Sequence, residues 1–144
     1  MDNKSLEITI EFAESPQHVF DCIRQVSKWW STDFEGKSAG LNDEFVIHHP
    51  GAHYSKQRIV EIIPNRKVVW LVTESTLYWL QGDKHEWTNT RMIFAIAAKG
   101  DKTELHITHE GLTPEKECYE RCSEGWSMVI KQRLIDFIVD RKTV

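Results

Sequence analysis

The chain has 144 residues, 40% of them apolar, with 18 basic against 22 acidic side chains for a formal charge of -4. That length supports one domain, 1–144, with a substantial core, and the lack of Lys/Arg clusters leaves no electrostatic footprint for nucleic acid or an anionic membrane. No apolar run spans a bilayer, the opening MDNKSLEITIEF lacks a signal core, and three cysteines fit reduced thiols, so a cytoplasmic protein is expected.

Residues 5–13 alternate Leu6, Ile8, Ile10 and Phe12 with polar neighbours, the period of a half-buried strand. Ser15-Pro16 supplies a cap and a helix start, with Val19, Phe20, Ile23 and Val26 on one face. A short second helical turn holds Lys28, Trp29 and Trp30. Strands then follow over 34–38, 44–49, 54–63, 67–80, 86–98 and 103–110, with turns at Pro50-Gly51, Pro64-Asn65, Gly82-Asp83 and Gly100-Asp101 separating most of them. In the last strand Leu105, Ile107 and His109 share a face opposite His106, Thr108 and Glu110.

Gly111 breaks that strand. Thr113 can cap the next segment, Pro114 suits a first helical position, and Glu115 and Glu117 complement a helix N-terminus. The spacing predicts one long helix over 114–140, its stripe of Cys118, Tyr119, Cys122, Gly125, Trp126, Val129, Ile130, Leu134, Phe137 and Ile138 broken only by Arg133. The predicted class is α+β: a curved antiparallel sheet of about six to seven strands gripping a C-terminal helix, with two short helices after the first strand.

Several of these segments carry a resemblance. The Ser15-Pro16 start with Val19-Phe20, the Trp29-Trp30 pair, Glu61-Ile62-Ile63-Pro64 leading into Val68-Val69-Trp70, Thr108-His109-Glu110-Gly111-Leu112 and Gly125-Trp126 resemble the START-like or SRPBCC superfamily. Within it they resemble the branch named for activators of the ATPase of heat-shock protein 90. Glu117-Cys118-Tyr119, Cys122 and Glu86-Trp87-Thr88 are similar to a smaller bacterial group of such domains. The resemblance implies a helix-grip fold over an apolar cavity, in which members bind small molecules, catalyse reactions or act on protein partners. The eukaryotic activators carry an additional N-terminal domain that makes chaperone contacts, and 144 residues leave no room for it. A chaperone partner is therefore the weaker expectation.

Alternation and the family pattern together place Trp30, Phe45, Trp70, Met92, Phe94, His109, Trp126 and Ile130 around the ligand space. Trp126 is the leading candidate because Gly125 beside it gives up roughly 1 kcal/mol of helix propensity, which suits a close approach by a strand or ligand. His109 is the candidate catalytic group of a cyclase- or hydratase-type enzyme, or else a buried histidine bonded to a neighbour. No nucleophile elbow, phosphate-binding glycine loop or zincin helix is present.

His48, His49 and His53 flank a turn, but with Asp43 or Glu44 as the added ligand they match no standard metal spacing. Neither metal nor cofactor is expected. Cys118 and Cys122 share a helix face at a Cβ separation of about 5–6 Å, too far for a disulfide in an intact helix; they are buried thiols or a reactive pair near the cavity. Leu77-Tyr78-Trp79-Leu80 can form a cavity lid, a homodimer contact or a local apolar cluster. The expected function is binding of a small apolar or amphipathic molecule, with the enzyme and a co-chaperone-like module as rivals.

Overall fold

The computed structural model describes residues 5–31, 33–49 and 53–141. In chain order the elements are β1 (Leu6–Phe12), α1 (Pro16–Ile23), α2 (Val26–Trp29), β2 (Phe34–Gly36), β3 (Glu44–His49), β4 (His53–Ile63), β5 (Lys67–Leu77), β6 (Arg91–Lys99), β7 (Lys102–Glu110), α3 (Tyr119–Met128), a π-helical stretch (Val129–Leu134) and α4 (Ile135–Arg141). The strands form one antiparallel seven-stranded sheet in the order β1-β7-β6-β5-β4-β3-β2. This is the helix-grip arrangement, α+β, with the C-terminal helix against the inner face of the sheet. The predicted Pro50-Gly51 turn lies outside the described residues.

Local chemistry accounts for much of this. Ser15 Oγ accepts the His18 amide at 3.1 Å and Pro16 opens α1, which buries Val19, Phe20, Cys22 and Ile23. In β7, Leu105, Ile107 and His109 point inward, as the alternation predicts. The pairing of β4 with β5 shifts register twice, between Lys56 and Gln57 and between Ile59 and Glu61. The first shift leaves Thr73 as an extra residue, so Trp70 and Val72 point inward before it and Ser75 and Leu77 after it. Such bulges bend the strand and strengthen its twist, which curves the sheet around the helix.

Three predicted elements differ in extent. The strand expected over 86–98 begins at Arg91, because residues 85–90 turn instead: the Thr88 amide donates to the His85 carbonyl, the Thr90 amide to the Trp87 carbonyl, and Asn89 has a φ of 71°. The strand expected over 67–80 correspondingly ends at Leu77. The helix expected from Pro114 begins at Tyr119, after turns in which Lys116 donates to the Thr113 carbonyl and Tyr119 to the Lys116 carbonyl.

Its cap comes from elsewhere in the chain. The Glu86 carboxylate accepts the amides of Glu117 and Cys118 at 3.1 and 3.0 Å, satisfying donors that a helix start leaves open. In return the Glu117 carboxylate accepts the amides of Gln81 and Gly82, both at 3.0 Å, and these two bonds hold its pKa below the usual value. The β5–β6 connection and the helix start are thus clasped by two carboxylates facing opposite ways. Replacing Glu86 by Ala should lower stability by about 1 kcal/mol, as for other capping side chains. Faster amide exchange at Glu117 and Cys118 would report the loss, and unchanged exchange there would count against the clasp.

The π-helical stretch serves the packing. Cys122, Trp126, Ile130, Leu134 and Ile138 are all buried at strict four-residue spacing, which drifts about 40° per step around an α-helix. Widening the turn over Val129–Leu134 offsets that drift and keeps the row facing the sheet. In the same stretch Arg133 donates to the Trp30 carbonyl at 2.9 Å, meeting an acceptor that the end of α2 leaves open. The residue that breaks the apolar stripe is therefore a tie between α2 and the long helix.

Candidate functional site

Most of the space between sheet and helix is occupied by aromatic rings. Trp30 stacks on Trp70 at 5.7 Å and 6°, packs on Trp126 at 4.9 Å, and Trp126 stacks on Trp87 at 5.7 Å and 10°. Trp29 lies 6.2 Å from both Trp70 and Phe94. These separations fall in the favourable range for aromatic pairs, so the tryptophans form a continuous solid interior.

A cavity of about 240 Å³ opens at one end of that stack. Its floor is Trp30, Trp87 and Trp126; its helix wall is Arg121, Cys122, Gly125, Met128 and Val129; Leu77 and Trp79 close it from the β5–β6 connection, and His49 and His53 from the β3–β4 hairpin. The helix positions fall at i, i+1, i+4, i+7 and i+8, one face of α3 and its continuation. Of the eight ligand-site residues expected from sequence, Trp30 and Trp126 line this cavity. Phe45, Trp70, Met92, Phe94, His109 and Ile130 are instead buried in the packing beneath it.

His109 is held at both ring nitrogens. Trp126 Nε1 can only donate, so His109 Nδ1 accepts its proton at 3.1 Å; Thr90 Oγ1 gives its own proton to the Trp87 carbonyl, so His109 Nε2 carries a hydrogen and donates to Thr90 Oγ1 at 2.8 Å. Burial, with a smaller contribution from Lys116, holds its pKa down to about 3. It is a neutral imidazole whose two bonds fix the ring of Trp126. Gly111 completes the arrangement: with φ of 101°, a Cβ there would lie 2.8 Å from the Thr90 methyl.

His53 lies at the cavity wall. Its Nε2 is 2.7 Å from Ser55 Oγ, which also accepts from Gln57 Nε2 at 2.6 Å. The inward face of β4 therefore begins with three polar side chains, and burial, followed by the nearby His49 and His48, holds the His53 pKa down to about 3. His49 faces His53 with ring centres 5.8 Å apart. The residues weighed as further metal ligands are engaged elsewhere: Asp43 accepts the amides of Ala39 and Gly40, and Glu44 pairs with Lys56 at 3.6 Å. Among the described residues no three His, Cys, Asp or Glu side chains are grouped to hold a metal.

Cys118 and Cys122 are free, buried thiols, and Cys122 is on the cavity wall. A hydrogen bond from Cys118 to Cys122 is the leading influence on both, raising the first pKa and lowering the second. The segment 77–80 divides: Leu77 and Leu80 are core, Trp79 is cavity wall, and Tyr78 is 45% exposed. The Arg121 guanidinium lies 4.3 Å over the Trp79 ring. Arg121 was missed in the sequence reading and His53 was weighed only as a metal ligand, although each left a signal for the cavity: an arginine four residues before Gly125 on an otherwise apolar face, and a polar run on the inward positions of β4.

The sheet wrapped on a C-terminal helix, with a cavity at their junction, defines a helix-grip protein of the START-like class. Residues 13–136 match the family model for Activator of Hsp90 ATPase homolog 1-like protein, and the chain belongs to that family. A search of curated protein sequences finds no match. Among solved structures, the Aha1 dimer from Colwellia psychrerythraea is similar with a TM-score of 0.70 and 17% identity over 88% of this chain and 90% of that one. PFC0360w, an HSP90 activator from Plasmodium falciparum, gives 0.62 and 20% over 96% of each chain. CalU16 from Micromonospora echinospora gives 0.65 and 15% over 96% of this chain and 78% of that one. At these identities the likeness concerns the fold.

Proposed function

We propose that the protein is a cytoplasmic single-domain binder of a small, flat, mainly apolar molecule in the 240 Å³ cavity between α3 and the β5–β6 connection. Gly125 is the observation that carries this reading. A Cβ there would meet nothing within 4 Å, so no neighbouring group requires the glycine, yet it stands inside a helix and on the cavity wall. Its helix penalty of roughly 1 kcal/mol relative to alanine is explained if the open space is itself the selected property. Aromatic floor, sulfur-bearing wall and a neutral histidine are the lining expected for an apolar ligand with few polar atoms.

Catalysis through His109 has less support, since both nitrogens are committed to Trp126 and Thr90. A protein-facing role has one specific observation in its favour: Met128, 46% exposed, lies on the cavity wall, and Tyr78, 45% exposed, precedes the wall residue Trp79. Sedimentation of the free protein tests self-association through that rim. The ligand-binding reading is tested by calorimetric titration with 2-naphthamide, a neutral bicyclic probe. Saturable binding at one site per chain is expected, and no heat of binding up to the probe's solubility would overturn the reading.

A further inference from the structure

Arg121 gives the cavity a chemical preference. It is one helical turn before Gly125 on the same wall, and its guanidinium is held at 4.3 Å over the Trp79 ring of the β5–β6 connection. Among the described residues no carboxylate lies within ion-pair distance of it, whereas Glu86 and Glu117, the acids of the adjoining clasp, are each bound to two backbone amides. An unpaired guanidinium at the mouth of an aromatic slot presents a planar fork of donors while its face stays on the indole.

Away from Arg121 the lining is mostly aromatic: the floor consists of Trp30, Trp87 and Trp126, and His53 on the wall is held neutral. A ligand that satisfies both parts is apolar and flat over the floor and anionic beside Arg121. The volume of 240 Å³ is below the roughly 300–1,000 Å³ of drug-sized sites, which limits the flat part to one or two fused rings.

We infer that the cavity selects a planar aromatic carboxylate of one or two fused rings, with its ring on the tryptophan floor and its carboxylate paired to Arg121. This rests on the ligand-binding reading above and goes beyond it by naming the ligand's charge and its anchoring residue. The carboxylate stays at the mouth, where Arg121 is exposed, so pairing requires little desolvation of either ion. A bidentate guanidinium contact also orients the ring.

The test compares 2-naphthoate with 2-naphthamide, which share shape and differ in charge, by calorimetry at physiological ionic strength on the wild type, Arg121→Gln and Gly125→Leu. In the wild type the acid should bind about fivefold tighter than the amide, the upper end for an exposed ion pair. In Arg121→Gln the acid should bind no more tightly than the amide. Gly125→Leu should lose both. Equal wild-type affinities, or a preference for the acid that survives Arg121→Gln, would overturn the carboxylate inference while leaving the binding reading intact. Failure of both probes in the wild type would overturn the binding reading and this inference together.

Discussion

Urea unfolding at pH 7 and pH 5 should show a loss of about 3–4 kcal/mol at the lower pH, because two histidines are held neutral in the fold. His53 and His109 have folded pKa values near 3 against 6.5 when unfolded. The unfolded chain therefore takes up protons first. Their contribution is fully present above pH 6.5 and declines as pH falls from there toward 3, at about 1.4 kcal/mol per pH unit for each. Between pH 7 and 5 carboxylates scarcely titrate, so the window isolates the histidines. His109→Gln should keep a donor toward Thr90 and an acceptor for Trp126 while halving the pH slope. A midpoint unchanged between pH 7 and 5 would contradict the neutral assignment of both imidazoles.

Gly125 substitutions should separate stability from binding. Alanine meets no clash and removes the glycine penalty, so Gly125→Ala should raise stability by roughly 1 kcal/mol, measured as a higher thermal midpoint. Leucine at the same place projects into the cavity, and Gly125→Leu should reduce 2-naphthamide affinity by at least about a hundredfold with no loss of stability, as steric exclusion from a small pocket demands. A Gly125→Leu protein that binds normally would move the site elsewhere. One that unfolds would show that Gly125 is required by packing after all.

The fold was largely readable from the sequence where cause and effect are local. Alternation in β1 and β7 and the Ser15-Pro16 start of α1 are short-range signals, and all three elements form where they were expected. Errors arose where distant residues decide. The helix begins at Tyr119 because Glu86 supplies its cap, and no inspection of residues 113–118 alone reveals that partner. The bulge at Thr73 switches which parity of β5 faces inward, so a single alternation cannot describe the strand.

The site was less legible. Trp30 and Trp126 were recognisable as large rings beside a helix break and a glycine, but Trp87 was read as part of a strand and sits instead on a turn. Phe45, Trp70, Met92 and Phe94 on the sheet and Ile130 on the helix are buried, and what sequence cannot supply is how completely five tryptophans fill the space there. The ring stack displaces the open volume to the end of the grip, toward Arg121 and His53. His109 was correctly placed on the inward face, and its hydrogen bonds assign it to positioning Trp126.

The central claim is that ligands enter at the Gly125 end of the tryptophan stack. Two-dimensional NMR of the six indole N–H groups during titration with 2-naphthamide tests it most directly. Trp79, Trp87, Trp126 and Trp30, which line the cavity, should shift progressively and saturate together, while Trp29 and Trp70, buried away from it, should stay in place. Shifts confined to Trp29 and Trp70, or no indole shifts at saturating probe, would contradict it.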